Sequence, residues 1–230
     1  MKPTPPLKLA AIAAISGAIL LLAGTMLHPM HADPNAALAA FTEYAADKSW
    51  LASHLTQLAG MALMTAALVL LSRRLAGGRA DAWAALGSLG ATAGLAVAAT
   101  LQAVDGVALK AMLEAWGAAA GRDREMLFHA AFAVRQIEIG LAAVTCMIVG
   151  ITVSIYGIAI MSDRLLPAWM GVLALLAGIP TGVAGVVIAY TGFSATAMLI
   201  NMPANILLLI WMLLLGVLMW RQPSAIPPVA

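Results

Sequence analysis

Five side chains in this sequence carry chemistry in an unusual setting, because His54, Gln57, Asp105, Arg135 and Glu138 all border or interrupt long apolar runs. A charged group at the centre of a bilayer costs a few kcal/mol or more, so Asp105, Arg135 and Glu138 need an interface or partners. An imidazole beside a carboxylate can relay a proton or hold a metal ion. Arg135 and Glu138 stand one helical turn apart and can pair within their own helix. Trp50, His54, Gln57, Met61 and Met64 recur at three- and four-residue spacing, which places them on one helical face. Gln102 and Asp105 are a turn apart, Lys110 and Glu114 form an i,i+4 pair just beyond, and Glu125, His129 and Gln136 make one ridge. Gathered at the ends of membrane spans, these groups predict an acidic, imidazole-containing vestibule.

Plainer explanations exist for each. His54 could be an interfacial histidine satisfied by hydrogen bonds, and Arg135 could staple two helices through Glu138 or Asp105. For a metal, the candidate ligands are His28 and His54. Met26, His28, Met30 and His31 together offer donors that suit copper, although methionine is also ordinary core filler. His54 and His129, on alternate helices, could clasp a haem, but His129 lies well outside the hydrocarbon by residue count. The chain has no HExxH, ExxH or CxxC spacing and no glycine-rich phosphate loop, so no cofactor is specified.

The elements that hold these groups follow from composition. With 63% hydrophobic and 10% charged residues and a mean hydropathy of +0.98, the chain is far from the roughly 25% charged content of soluble domains. An all-α integral membrane protein is expected, one domain over residues 1–230, its partner the lipid bilayer. Apolar runs predict six transmembrane helices at about 9–27, 51–71, 82–104, 139–161, 166–190 and 198–220. Residues 28–50 and 105–136 are expected as outer loops, the first with a short helix in it. A cleaved signal peptide competes with the first span, but Met30-His31-Ala32 lacks the small residue needed three before a cut. Gly87, Gly90 and Gly94 present a thin face for close packing, and Pro180 and Pro203 interrupt the last two spans. The single Cys146 forms no intrachain disulfide. A net charge of +2 without a basic cluster offers no footprint for nucleic acid.

Lys2, Lys8, Arg73, Arg74, Arg79, Arg164 and Arg221 fall on short connections with few acids, while the remaining bases sit among most of the acids in the long loops. The positive-inside rule therefore predicts both termini in the cytoplasm and every histidine at or beyond the outer edge. Ala82 to Gly106 aligns without gaps to Ala168 to Gly192, a hint of a duplicated hairpin.

The stretches WLASHLTQLAG, LQAVDGVALKAMLEAW and FAVRQIEIG resemble those of an uncharacterised group of bacterial multi-pass membrane proteins, classed as a domain of unknown function. The resemblance covers His28 to Arg221 and implies a bacterial inner membrane protein without supplying roles for residues. Three functions are compatible with the residues: binding or transport of a small molecule or ion in an outward-facing pocket lined by His54, Gln57, Asp105, Arg135 and Glu138; an outer-leaflet enzyme or metal or haem redox protein; and a structural accessory subunit. Transport is the least favoured form of the first, because the inner half of the spans is nearly bare of polar groups. No sequence feature specifies an oligomeric state.

Overall fold

The computed structural model describes residues 7–222, and all regular structure among them is helical. The helices are α1 (Leu7–Leu27), α2 (Ala37–Ala46), α3 (Trp50–Leu75), α4 (Asp81–Gln102), α5 (Lys110–Ala118), α6 (Gly121–Ser162), α7 (Ala168–Thr191) and α8 (Ala195–Arg221), with a π-helical segment, Ala103–Leu109, joining α4 to α5. Six helical stretches among the described residues are long and apolar enough to cross a membrane. They pack in a closed ring, in the order α1, α3, α4, α6, α7, α8 and back to α1. The first apolar run is thus an integral wall of the bundle, wedged between α3 and α8.

Helices in lipid gain little from apolar burial and associate instead through close van der Waals packing, which small residues permit. At Gly60 of α3 an added Cβ would lie 2.6 Å from the backbone nitrogen of Leu21, so α1 and α3 touch backbone to backbone. The thin face of α4 does what its spacing suggests: Gly87, Gly90 and Gly94 receive Tyr156, Thr152 and Ile148 of α6. Large apolar side chains turn outward around the ring, among them Leu89 at 68%, Ile151 at 61% and Leu199 at 76% exposure, as a lipid-facing surface requires. Inside the ring is a largely apolar cavity of about 200 Å³ to which all six helices contribute, through Leu21, Met64, Ala91, Val149, Thr181 and Leu208.

One expectation needs correction. Residues 105–136 are not a loop: they form the π segment, α5 and the first part of α6. Helix α6 has 42 residues, about 60 Å at 1.5 Å per residue, against a hydrocarbon core of about 30 Å. Its charged N-terminal half therefore projects past the bundle as a helix. Hydropathy marks where lipid ends, whereas α-helical hydrogen bonding continues in any solvent. The projecting hairpin is capped by α2, with Phe41 and Tyr44 packed among Trp50, Leu109, Leu113, Trp116 and Ala131. Lys110 fixes that cap by donating to the carbonyls of Tyr44, Ala45 and Asp47 at 3.0, 3.0 and 2.8 Å, where the end of α2 leaves acceptors unpaired. Its contact with Glu114, at 3.6 Å, is secondary. The two segments of the suggested duplication end differently: Gly106 lies inside the π segment, whereas Gly192 terminates α7 with φ of 64°. Pro180 and Pro203 sit within α7 and α8, which run through them.

Candidate metal centre

His54 lies one turn into α3, and its Nδ1 is 2.8 Å from the carbonyl oxygen of Trp50. A carbonyl only accepts, so Nδ1 carries the hydrogen and donates it. In the neutral ring this leaves Nε2 as a bare lone pair, and Nε2 stands 3.0 Å from Asp105 Oδ2. A lone pair and an ionised carboxylate face one another at that distance only with a proton or a cation between them. Asp105 is delivered by the π segment, whose wider turn is a device common at functional sites. The Trp50 indole Nε1 donates to the Asp105 carbonyl at 3.2 Å and holds that turn against α3. Gly106 permits the approach, since a Cβ there would come within 2.7 Å of His54 Cβ.

His28 completes the group from the connection after α1. Its Nδ1 faces the Pro29 carbonyl at 2.8 Å, so by the same reasoning its Nε2 is the free lone pair. Its ring lies 5.2 Å from that of His54 and 4.9 Å from that of Trp50. Burial, reinforced by His54, holds the His28 pKa below its ordinary 6.5, which favours the neutral, ligating form. Ligand atoms of His28, His54 and Asp105 all lie within 4.8 Å of one another. An ion bound at about 2.0–2.2 Å from each donor would seat with a closure of an ångström or so. Both histidines already donate their other ring N–H to backbone carbonyls, the supporting contact that orients metal-bound imidazoles. Two imidazoles and a carboxylate suit zinc or another divalent first-row metal.

Around this trio are three further polar contacts. Ser53 donates to Gly24 O at 2.7 Å and ties α3 to α1, and one turn nearer the apolar cavity Gln102 Nε2 donates to Gln57 Oε1 at 3.2 Å and ties α4 to α3. Arg135 Nη1 donates to both Glu138 carboxylate oxygens, at 2.6 Å to Oε1. The guanidinium also lies over the rings of Tyr44 and Phe193, at 5.6 and 5.1 Å. Glu138 is within electrostatic reach of Asp105 and His54. Among the described residues four buried side-chain polar atoms lack a hydrogen-bond partner, and three belong here: Gln102 Oε1, Asp105 Oδ1 and Arg135 Nε. Native interiors leave few such atoms, and a bound ion or water is a usual reason for them.

The structure therefore brings His54 and Asp105 into contact, pairs Arg135 with Glu138 close by, and puts Gln57 in the layer beneath rather than among the ligand atoms. Of the Met-His group only His28 turns inward; Met26, Met30 and His31 are exposed. That removes the soft donors from the copper arrangement. The haem arrangement fails because His129 is exposed, together with Glu125 and Gln136. Tyr44 and Gly106 shape the site although no spacing marked them for it, whereas Trp50 was marked by the face it shares with His54 and Lys110 only by its spacing to Glu114.

Six apolar helices in a ring, closed at one mouth by a buried polar cluster, are the architecture of a multi-pass α-helical membrane protein. No family model, curated protein or solved structure matches the chain.

Proposed function

We propose that this chain binds a divalent transition-metal ion at one mouth of its helix ring, through His28, His54 and Asp105. The observation that carries this reading is the pairing of a lone-pair nitrogen, His54 Nε2, with Asp105 Oδ2 at 3.0 Å, its tautomer set by Trp50. A shared proton would satisfy that contact alone. It would not account for a second imidazole oriented the same way, nor for the unpartnered Asp105 Oδ1.

Three protein ligands leave a coordination position open, and zinc sites that perform chemistry keep such a position for water or substrate. The reading is therefore a membrane-embedded metal centre with an exchangeable position, on the side away from the cytoplasm if the basic connections lie inside. We read its membrane as a bacterial inner membrane, a reading that the resemblance of its sequence to bacterial multi-pass membrane proteins supports. A conducting role is disfavoured: the cavity beyond the Gln57–Gln102 layer is lined mostly by apolar side chains such as Met64, Ala91 and Leu208. Equilibrium dialysis of the detergent-purified protein against zinc, with metal analysis of the retentate, tests the reading. One tightly held ion per chain is expected, and no retained metal would remove it.

A further inference from the structure

The Arg135 guanidinium has more hydrogen-bonding capacity than its neighbours use. Glu138 occupies Nη1 alone. The opposite edge, formed by Nε–H and Nη2–H side by side, has one long contact, from Nη2 to the Pro34 carbonyl at 3.4 Å, and nothing on Nε. Arg135 is only 5% exposed. Leaving a charged donor unpaired in such a place costs more than leaving a neutral one. That edge is the fork that grips two oxygens of a carboxylate or phosphate in parallel, and a neutral carbonyl at 3.4 Å fills it poorly.

The setting narrows the occupant. Tyr44 is near both groups, its ring 5.6 Å from Arg135 Cζ and 6.1 Å from the His28 ring. Arg135, Asp105 and Glu138 all act electrostatically on Tyr44. A divalent cation on His28, His54 and Asp105 would add positive charge close to the Arg135 guanidinium and so draw an anion toward it. Resting on the metal-centre reading, we infer that the open edge of Arg135 receives a phosphate-type oxyanion belonging to the ligand that meets the metal. The Pro34 carbonyl, on the connection from His28 to Ala36, is the contact the oxyanion replaces. The same chemistry is offered by free phosphate and by a phospholipid headgroup at the bilayer edge.

The test uses the full-length protein in detergent with zinc loaded, inorganic phosphate as probe and two readouts. In the first, equilibrium dialysis gives phosphate bound per chain for wild type and Arg135→Lys, which keeps the charge and loses the fork. About one phosphate per chain is expected, weakened at least tenfold in the variant while zinc binding is unchanged. In the second, made on wild type so that a misfolded variant does not decide the outcome, arginine labelled with 15N at Nε is followed by NMR. The slowly exchanging Nε–H of Arg135 should shift on adding phosphate, and more with zinc than without. Nanodiscs of phosphatidylglycerol against nanodiscs of a phosphate-free glycolipid separate the sources. A shift present in the first lipid before phosphate is added assigns the site to a headgroup, and a shift only on adding free phosphate assigns it to a soluble anion. Zinc retained with no phosphate effect on Arg135, or equal phosphate binding by Arg135→Lys, overturns the oxyanion site and leaves the metal reading standing. Loss of zinc binding in wild type removes the metal reading, and a phosphate shift at Arg135 would then support the oxyanion site by itself.

Discussion

Asp105 Oδ2 stands 3.0 Å from His54 Nε2, across the interface between α3 and the π segment that follows α4. The contact joins residues 51 positions apart, and with it both histidine nitrogens are engaged: Nδ1 donates to Trp50, which sets the tautomer, and Nε2 is offered to the carboxylate. Substituting His54→Gln or Asp105→Asn takes away one of the three donors. Even supporting contacts around a metal are worth tenfold to a hundredfold in affinity, so each substitution is expected to weaken zinc binding by at least about a hundredfold. Calorimetric titration in detergent measures it, and wild-type affinity in both variants would show that the cluster holds no metal.

Gly106 makes that contact sterically possible. A Cβ at position 106 would meet His54 Cβ at 2.7 Å and Cγ at 2.9 Å, and the imidazole they carry is fixed by hydrogen bonds at both nitrogens. Overpacking of this kind costs about 1–3 kcal/mol, so Gly106→Ala should lower the unfolding midpoint and the zinc affinity together. Gly140, with nothing near its Cβ position, is the control: Gly140→Ala should be neutral, or stabilising by up to about 1 kcal/mol from helix propensity. Equal midpoints for the two variants in denaturant titration would refute the steric account.

Much of this was legible in the chain and some was not, for physical reasons. Lipid imposes long apolar runs, so six spans are apparent to the eye, and their glycine spacing already marks the face that Tyr156 and Thr152 fill. The one-turn spacing of Arg135 and Glu138 is a local property and survives folding unchanged. Helical structure through 105–136 was hidden because its charges report water, not backbone conformation. Convergence of His28, His54 and Asp105 depends on how helices are ordered around the ring, which no local pattern encodes. The direction of Lys110, toward the end of α2 rather than chiefly toward Glu114, depends on the same long-range packing.

Arg135 and Glu138 are buried at 5% and 3% exposure, so neither charge can be left alone cheaply. Removing one member of a buried pair costs about 3–5 kcal/mol, whereas replacing both by apolar groups of similar size is often neutral or better. Arg135→Met and Glu138→Leu are each expected to destabilise by that amount, and the double variant to regain most of it. A double-mutant cycle on unfolding free energies checks this. Additive losses would mean that the two charges do not depend on one another.

Protons compete with metal for His28, and the sign follows from its surroundings. Burial and the neighbouring His54 hold its pKa below 6.5 in the folded protein, so below pH 6.5 the unfolded chain binds more protons at this position than the folded one. Stability from this group is therefore fully present above about pH 6.5 and falls as pH drops through the folded pKa. The same protonation takes away the lone pair a metal needs, so zinc occupancy falls in step with stability. The comparison is with His28→Gln, so that the other titrating groups are common to both curves. The difference between the two stability curves, measured by thermal unfolding in detergent from pH 5 to 8, should vanish its slope above pH 6.5 and steepen below it, and a difference curve flat over the whole range would mean that His28 does not titrate against folding.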